Sequence, residues 1–370
     1  MNRRNFLKTT SLFPLYVSAG GTVCGAVSSA FGQQIPETKY QASAPLKVGL
    51  NAYSFSKELN NVAKGRGEGM SLNALLDYCA HADHRFDAVD ITGYYFPDYS
   101  ADEATVPPDK FVDDLKHRAA DLGLPISGTG VGNSFTGVPF DRVGKQGGPL
   151  SMDEGGDRAK INKDIERIKA WIGVAARLGA PVIRVFAGLE PSYLMKEKIS
   201  PNDPDKEKKA AKLKAWRAEA FKRMVEDLQV VVEHGKKAGV IIGIQNHGDF
   251  LKTADETIEL ITAVNSKWFG CIVDTGYFLT PDPYVDVEKV MPYAVNFQIK
   301  EFARVSAAEY AAPEFQPIKL KPLIKIIRRS GYKGYLPIET LSAGKTAPYD
   351  PYKEIPPFLA AVRKAIAEPA

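Results

Sequence analysis

Short apolar runs alternate along nearly the whole chain with longer stretches whose apolar residues recur every three or four positions. The first kind marks buried strands and the second amphipathic helices. Strands are predicted over 47–55, 86–91, 125–131, 181–187, 240–247, 269–274, 294–300 and 334–340. Between them, Leu72, Leu75, Leu76 and Cys79 share one helical face. Phe111, Leu115, Ala119 and Leu122 share another, on a helix begun at Pro108 and stopped by Gly123. Ile161, Ile165, Ile168, Ile172, Ala175 and Leu178 form the most regular stripe and end at Gly179. A further helix runs from Trp216 through Phe221, Met224, Leu228 and Val231 to Gly235. Thr253 and Glu256 have capping-box spacing ahead of Ile258, Ile261 and Val264. Helices are also expected over 285–290, 322–329 and 352–367.

Eight strands, each followed by a helix, predict a parallel sheet, and eight such units predict a single-domain (β/α)8 TIM barrel of the α/β class. An open doubly wound sheet is the alternative. It needs fewer strands, and no glycine-rich dinucleotide fingerprint follows the first strand. A chain of 370 residues with an apolar fraction of 44% suits one such barrel. The barrel is expected over 46–370, after a leader over 1–30 and a flexible arm over 31–45. A long polar loop over 132–156 and an insertion over 188–215 interrupt the pattern; the lysine-rich run 206–214 reads as a solvated helical face.

Charge and cysteine usage narrow the function classes. Lysine and arginine exceed the acids by four, and three of the cations, Arg3, Arg4 and Lys8, lie in the leader. The remaining body is nearly neutral, which gives no support to nucleic-acid binding. Arg3-Arg4-Asn5-Phe6-Leu7-Lys8, a weakly apolar stretch and the small residues Ser28-Ser29-Ala30 look like a twin-arginine export signal. That predicts passage through the Tat export machinery, cleavage near Ala30 and a periplasmic protein with no membrane segment after cleavage. Cys79 and Cys271 would remain, one on a helix and one in a strand, and both read as buried thiols.

Chemistry collects where the strands stop. Arg184, Gln245, His247, Asp274, Gln298, Lys300 and Glu339 all lie at the C-terminal ends of apolar runs, the rim where a barrel carries its site. Period-two alternation puts Gln245 and His247 on one face of their strand, and Gln298 and Lys300 on one face of theirs. Asp274 is in phase with Ile272, and Glu339 with Pro337. The inward set is therefore Gln245, His247, Asp274, Gln298, Lys300 and Glu339, joined by Arg184. Each has a blander alternative: a core imidazole for His247, an ion pair with Asp90 for Arg184. Asp274 and Glu339 are the strongest candidates, because an inward carboxylate at a dry rim is costly unless it meets a cation or donors. Asn51, Tyr53, Tyr94, Phe186 and Tyr277 are placed to line the mouth and bind a substrate there, with core packing as the alternative for the aromatics.

These strand ends resemble the xylose-isomerase-like TIM-barrel family, sugar phosphate isomerases and epimerases, over roughly 47–367. The resemblance implies one divalent metal at the rim, held by Glu, Asp, His and Glu on strands five to eight. Here those positions are Gln245, Asp274, Gln298 and Glu339, with Lys300 and Glu301 keeping the end of the strand-seven motif. Two glutamines leave two charges and no nitrogen ligand, so a metal held there would be weakly bound and oxygen-preferring, Mn²⁺ or Mg²⁺. They also leave Glu339 as the remaining carboxylate base, with His247 or Lys300 as acid. The expected activity is isomerisation or epimerisation of a non-phosphorylated sugar or keto-sugar by proton abstraction α to a carbonyl. The alternatives are a keto-glycoside lyase or hydrolase, and a carbohydrate-binding protein that has lost catalysis. The sequence is silent on oligomeric state.

Overall fold

The computed structural model describes residues 46–138, 156–190, 199, 202–247, 250–307, 312–341 and 348–369. The expected export signal, the arm, much of the 132–156 loop and part of the 188–215 insertion lie outside the described residues.

Eight parallel strands close a barrel. They are β1 (Lys47–Asn51), β2 (Ala88–Thr92), β3 (Ile126–Gly130), β4 (Val182–Phe186), β5 (Ile241–Gln245), β6 (Phe269–Asp274), β7 (Ala294–Lys300) and β10 (Tyr335–Glu339). Hydrogen bonds run in order from β1 through β2 to β7 and then β10, which pairs back onto β1. The expected barrel is the observed one. Its strands are buried on both faces, which is why they read as continuous apolar runs. Around them pack α2 (Leu72–Ala80), α3 (Asp109–Asp121), α4 (Arg158–Leu178), α5 (Lys206–Ala238), α6 (Ala254–Val264), α7 (Pro283–Val290), α8 (Leu320–Arg329) and α9 (Pro351–Ala367), after a short α1 (Ser56–Ala63).

The register positions the site. Asp274 pairs with Gln298 across β6 and β7, and Lys300 with Glu339 across β7 and β10. Phe186 pairs with Gln245 across β4 and β5. Below these polar ends, Val182, Ile241, Ile272 and Val295 form a separate apolar cluster. Val182, Ile241 and Ile272 are in phase with Arg184, Gln245 and Asp274, so one strand face is apolar at its start and polar at its end.

Several elements differ from the sequence pattern. The first strand stops at Asn51, whose side chain accepts a hydrogen bond from the Tyr53 amide and starts a 3₁₀ turn over Ala52–Phe55. The helix α1 that follows buries Leu59 alone, too faint a stripe to register as a helix. A two-stranded antiparallel ribbon, β8 (Phe302–Val305) and β9 (Glu314–Pro317), is inserted after β7. The lysine-rich run 206–214 is helical, as expected, but continuous with the helix after it, so α5 spans 33 residues.

Candidate functional site

Six strand-end side chains predicted to share a face do meet at the C-terminal mouth of the barrel. Above them opens a cavity of about 500 Å³, lined by Gln245, Gln298, Lys300 and Glu339 at its floor and by Arg184 and aromatic rings at its walls.

The floor is built around Lys300. Its buried ammonium hydrogen-bonds Glu339 Oε1 and lies 3.4 Å from Asp274 Oδ2. Backbone contacts hold it there. The Lys300 amide donates to Thr275 Oγ1 at 2.9 Å, and the Gly276 amide donates to Asp274 Oδ1 at 2.9 Å. The lysine stem crosses Gly276, where a Cβ would sit 2.7 Å from Lys300 Cγ. Asn246, which points away from the barrel axis, clamps the Asp274 backbone from both sides. Its Oδ1 accepts from the Asp274 amide and its Nδ2 donates to the Asp274 carbonyl, each at 2.8 Å.

Two glutamines complete the floor. Gln245 Nε2 donates to Asp274 Oδ2 at 2.6 Å. One atom of the Gln298 amide lies 3.0 Å from Glu339 Oε2 and 3.3 Å from Asp274 Oδ2. As nitrogen it suits both carboxylates, and the amide oxygen then accepts from Asn51 Nδ2 at 3.1 Å. That same atom is 2.7 Å from Gln245 Nε2, where an oxygen would serve better. The two amides therefore cannot satisfy every neighbour at once, and Gln245 Oε1 is buried without a partner.

Burial shapes the charges. It pushes the Asp274 carboxyl above its ordinary value, against the pull of Lys300 and with a push from Glu339. Burial alone would lower Lys300, but Asp274 and Glu339 outweigh it and hold the ammonium above the usual lysine range. Asp274 is fully buried and does not line the cavity, so Glu339 is the carboxylate that reaches it.

The walls carry the rest. Arg184 donates from Nη2 to the Tyr94 hydroxyl at 2.8 Å, and its guanidinium lies 4.5 Å from the Phe186 ring centroid. Its Nε is buried with no hydrogen-bond partner. The direct ion pair with Asp90 considered from the sequence is replaced by this contact. Asp90 instead accepts from Asn296 Nδ2 at 2.9 Å, and burial, opposed by Arg184 and that hydrogen bond, raises its pKa to about 6. Gly130 makes room for the arginine, since a Cβ there would fall 2.8 Å from Arg184 Cβ. His247 is stacked on Tyr277, with centroids 4.4 Å apart, and meets Phe186 edge-on at 5.0 Å. It belongs to an aromatic wall rather than to the core. Tyr53 and Tyr94, 6.5 Å apart and edge-on, form the opposite rim. Asn51 is fully buried; it organises the floor and does not face the cavity.

The residues present do not fit a divalent-metal centre. Two carboxylates and one ammonium leave a single negative charge against a 2+ ion. An all-oxygen donor set would require Gln245 to give up its hydrogen bond to Asp274 and turn a carbonyl toward that carboxylate. Among the described residues there is no group of three or more His, Cys, Asp and Glu side chains able to hold a metal.

Alternation found the inward residues but missed those that hold them. Asn296 is in phase with Gln298 and Lys300, and Asp90 sits on a buried strand, so the same periodicity carried a signal for both. Asn246 had a different one: a polar residue predicted on a buried outer face needs a partner.

The comparisons agree with this architecture. No curated protein sequence matches the chain. Among solved structures, the 3-keto-D-glucoside 4-epimerase of E. coli superposes with a TM-score of 0.56 at 13% identity, covering 86% of this chain and 99% of that one. A D-psicose 3-epimerase gives 0.56 at 16% identity, covering 87% and 97%. An L-ribulose 3-epimerase gives 0.57 at 15% identity, covering 86% and 95%. At these identities the likeness is one of fold. The family described as Xylose isomerase-like TIM barrel matches residues 77–362, most of the barrel and all but one of its polar strand ends, and the chain belongs to that family.

Proposed function

We propose that this protein is an isomerase or epimerase of a non-phosphorylated sugar or keto-sugar, working by proton abstraction α to a carbonyl. The observation that carries this reading is the Glu339–Lys300 pair at the floor of a polar cavity walled by aromatic rings. Glu339 takes the α-proton; the C–H electron pair becomes the C=C bond of an enolate, and the carbonyl π pair moves to oxygen. Glu339 is then neutral, and the Lys300 ammonium it had been pairing is left to face the new oxyanion. Charge is handed from one partner to the other at a fixed cation, so little rearrangement accompanies the step. His247, on the wall, is the candidate acid that returns the proton. Arg184 and Tyr94 offer donors to sugar hydroxyls, and Tyr53, Phe186 and Tyr277 offer faces to C–H bonds.

That three solved sugar epimerases share the fold supports the substrate class. We further propose that the protein acts in the periplasm, on free or glycosidic sugars, as the twin-arginine leader suggests. A second reading, elimination from a keto-glycoside, begins with the same abstraction; a cavity of about 500 Å³, more than one sugar ring fills, favours it.

The test is a panel of aldoses, ketoses and keto-glycosides incubated in D₂O and followed by NMR. Deuterium entering at a carbon beside the carbonyl is the expected result, with the product showing whether isomerisation, epimerisation or elimination follows. Measurable binding with no exchange on any substrate would instead mark a carbohydrate-binding protein.

A further inference from the structure

We propose that Lys300 occupies the place of a divalent cation in this site, so that the chemistry at Glu339 needs no bound metal. This rests on the functional reading above and specifies which group carries the positive charge.

The ammonium is where a cation is required. It hydrogen-bonds one carboxylate, lies 3.4 Å from the other, and has the Tyr277 ring centroid at 5.3 Å. Its position is over-determined: Thr275 fixes the Lys300 backbone, Gly276 leaves a channel for the stem, and Asn246 fixes the backbone of Asp274 beneath. Nothing about it resembles a surface lysine that has folded inward.

Charge balance points the same way. Lys300 neutralises one of the two carboxylates, and Gln245 and Gln298 are neutral. A dication added to this set would leave a net positive charge in a buried floor that already faces Arg184. The donor that would compensate, a third carboxylate in the floor, is missing, while Gln245 Nε2 is committed to Asp274 at 2.6 Å. A fixed ammonium in a dry site stabilises a developing oxyanion at no cost in reorganisation.

The experiment has a binding arm and a turnover arm. Chelator-treated wild-type protein and a Lys300→Met variant are titrated with Mn²⁺, free Mn²⁺ being read by electron paramagnetic resonance and folding by circular dichroism. Wild type is expected to show no stoichiometric uptake at micromolar Mn²⁺. The variant, relieved of a unit charge within hydrogen-bond distance of the carboxylates, is expected to bind on the order of a hundredfold more tightly. Stoichiometric uptake by wild type overturns the proposal, and so does an unchanged affinity in a folded Lys300→Met. If that variant does not fold, the wild-type titration decides alone. In the turnover arm, α-proton exchange in D₂O should persist in excess EDTA; exchange lost to EDTA and restored by Mn²⁺ overturns the proposal. Should no sugar exchange under either condition, the functional reading fails, and the Mn²⁺ titration still decides what the cation is.

Discussion

At the scale of single residues, two carboxylates with different surroundings do different work. Glu339 reaches the cavity with its charge held by Lys300, so Glu339→Gln keeps size and hydrogen-bonding capacity while removing the base. Its α-proton exchange should fall by about 10²- to 10⁴-fold, with sugar binding retained; exchange within a few-fold of wild type would remove Glu339 from the mechanism. Asp90 does not line the cavity, and burial raises its pKa. Its pKa of about 6 against the ordinary 3.8 means that the native state keeps this proton longer than the unfolded chain does. Stability attributable to Asp90 is therefore full below about pH 4, falls as pH rises toward 6, and levels off above, a loss of roughly 3 kcal/mol at about 1.4 per unit. Asp90→Asn has no proton to lose, so the difference in melting temperature between variant and wild type should grow between pH 4 and 6. A flat difference across that window would show that Asp90 titrates normally. The sequence disclosed Asp274, Lys300 and Glu339 because side-chain phase along a strand is set by geometry. It could not disclose that Arg184 would choose Tyr94 over Asp90, since that choice depends on a turn, residues 93–95, that no periodicity reports.

At the scale of elements, two of the four strands that carry the floor, β6 and β7, were legible to the residue, while β5 and β10 are one or two residues shorter at their ends than expected. β6 and β7 fall where the strand pattern begins and ends, because each is buried on both faces nearly throughout: β6 is apolar up to Asp274, and β7 alternates apolar residues with the inward Asn296, Gln298 and Lys300. The ribbon β8–β9 was not legible: β9 is exposed along its length, and exposed strands lack the apolar contrast that periodicity needs. Helix α1 failed for the same reason. The strand ends are tied to one another by groups on the outer face, and Asn246 is the clearest case. Asn246→Ala would strip two buried backbone groups of Asp274 of their partners. Each orphaned group costs about 1–3 kcal/mol, so the variant should melt several degrees lower. It should also lose exchange activity, since Asp274 no longer holds the floor in register. A variant that melts like wild type would show that water replaces the amide without penalty.

At the scale of the whole molecule, the barrel separates what holds the fold from what recognises the ligand. The apolar cluster of Val182, Ile241, Ile272 and Val295 and the helix-facing sides of the strands stabilise the closed sheet. The polar mouth works against stability, with three buried carboxylates, an unpartnered guanidinium nitrogen and a glutamine oxygen without a donor. A ligand that supplies the missing partners should therefore stabilise the native state by more than its apolar contacts alone provide. Ligand at a hundred times its dissociation constant adds about 2.7 kcal/mol to a protein that binds it only when folded. A chain of this size should then melt a few degrees higher. The gain should appear in the Glu339→Gln variant as in wild type, because that substitution leaves Arg184, Tyr94 and the aromatic walls in place. It should shrink in Arg184→Met, which removes the unpartnered nitrogen and the bond to Tyr94 together. Thermal melts of the three proteins against the same sugars, in EDTA throughout, separate binding from turnover. Stabilisation of wild type that disappears in Glu339→Gln but survives in Arg184→Met would assign recognition to the floor and exclude the wall from it.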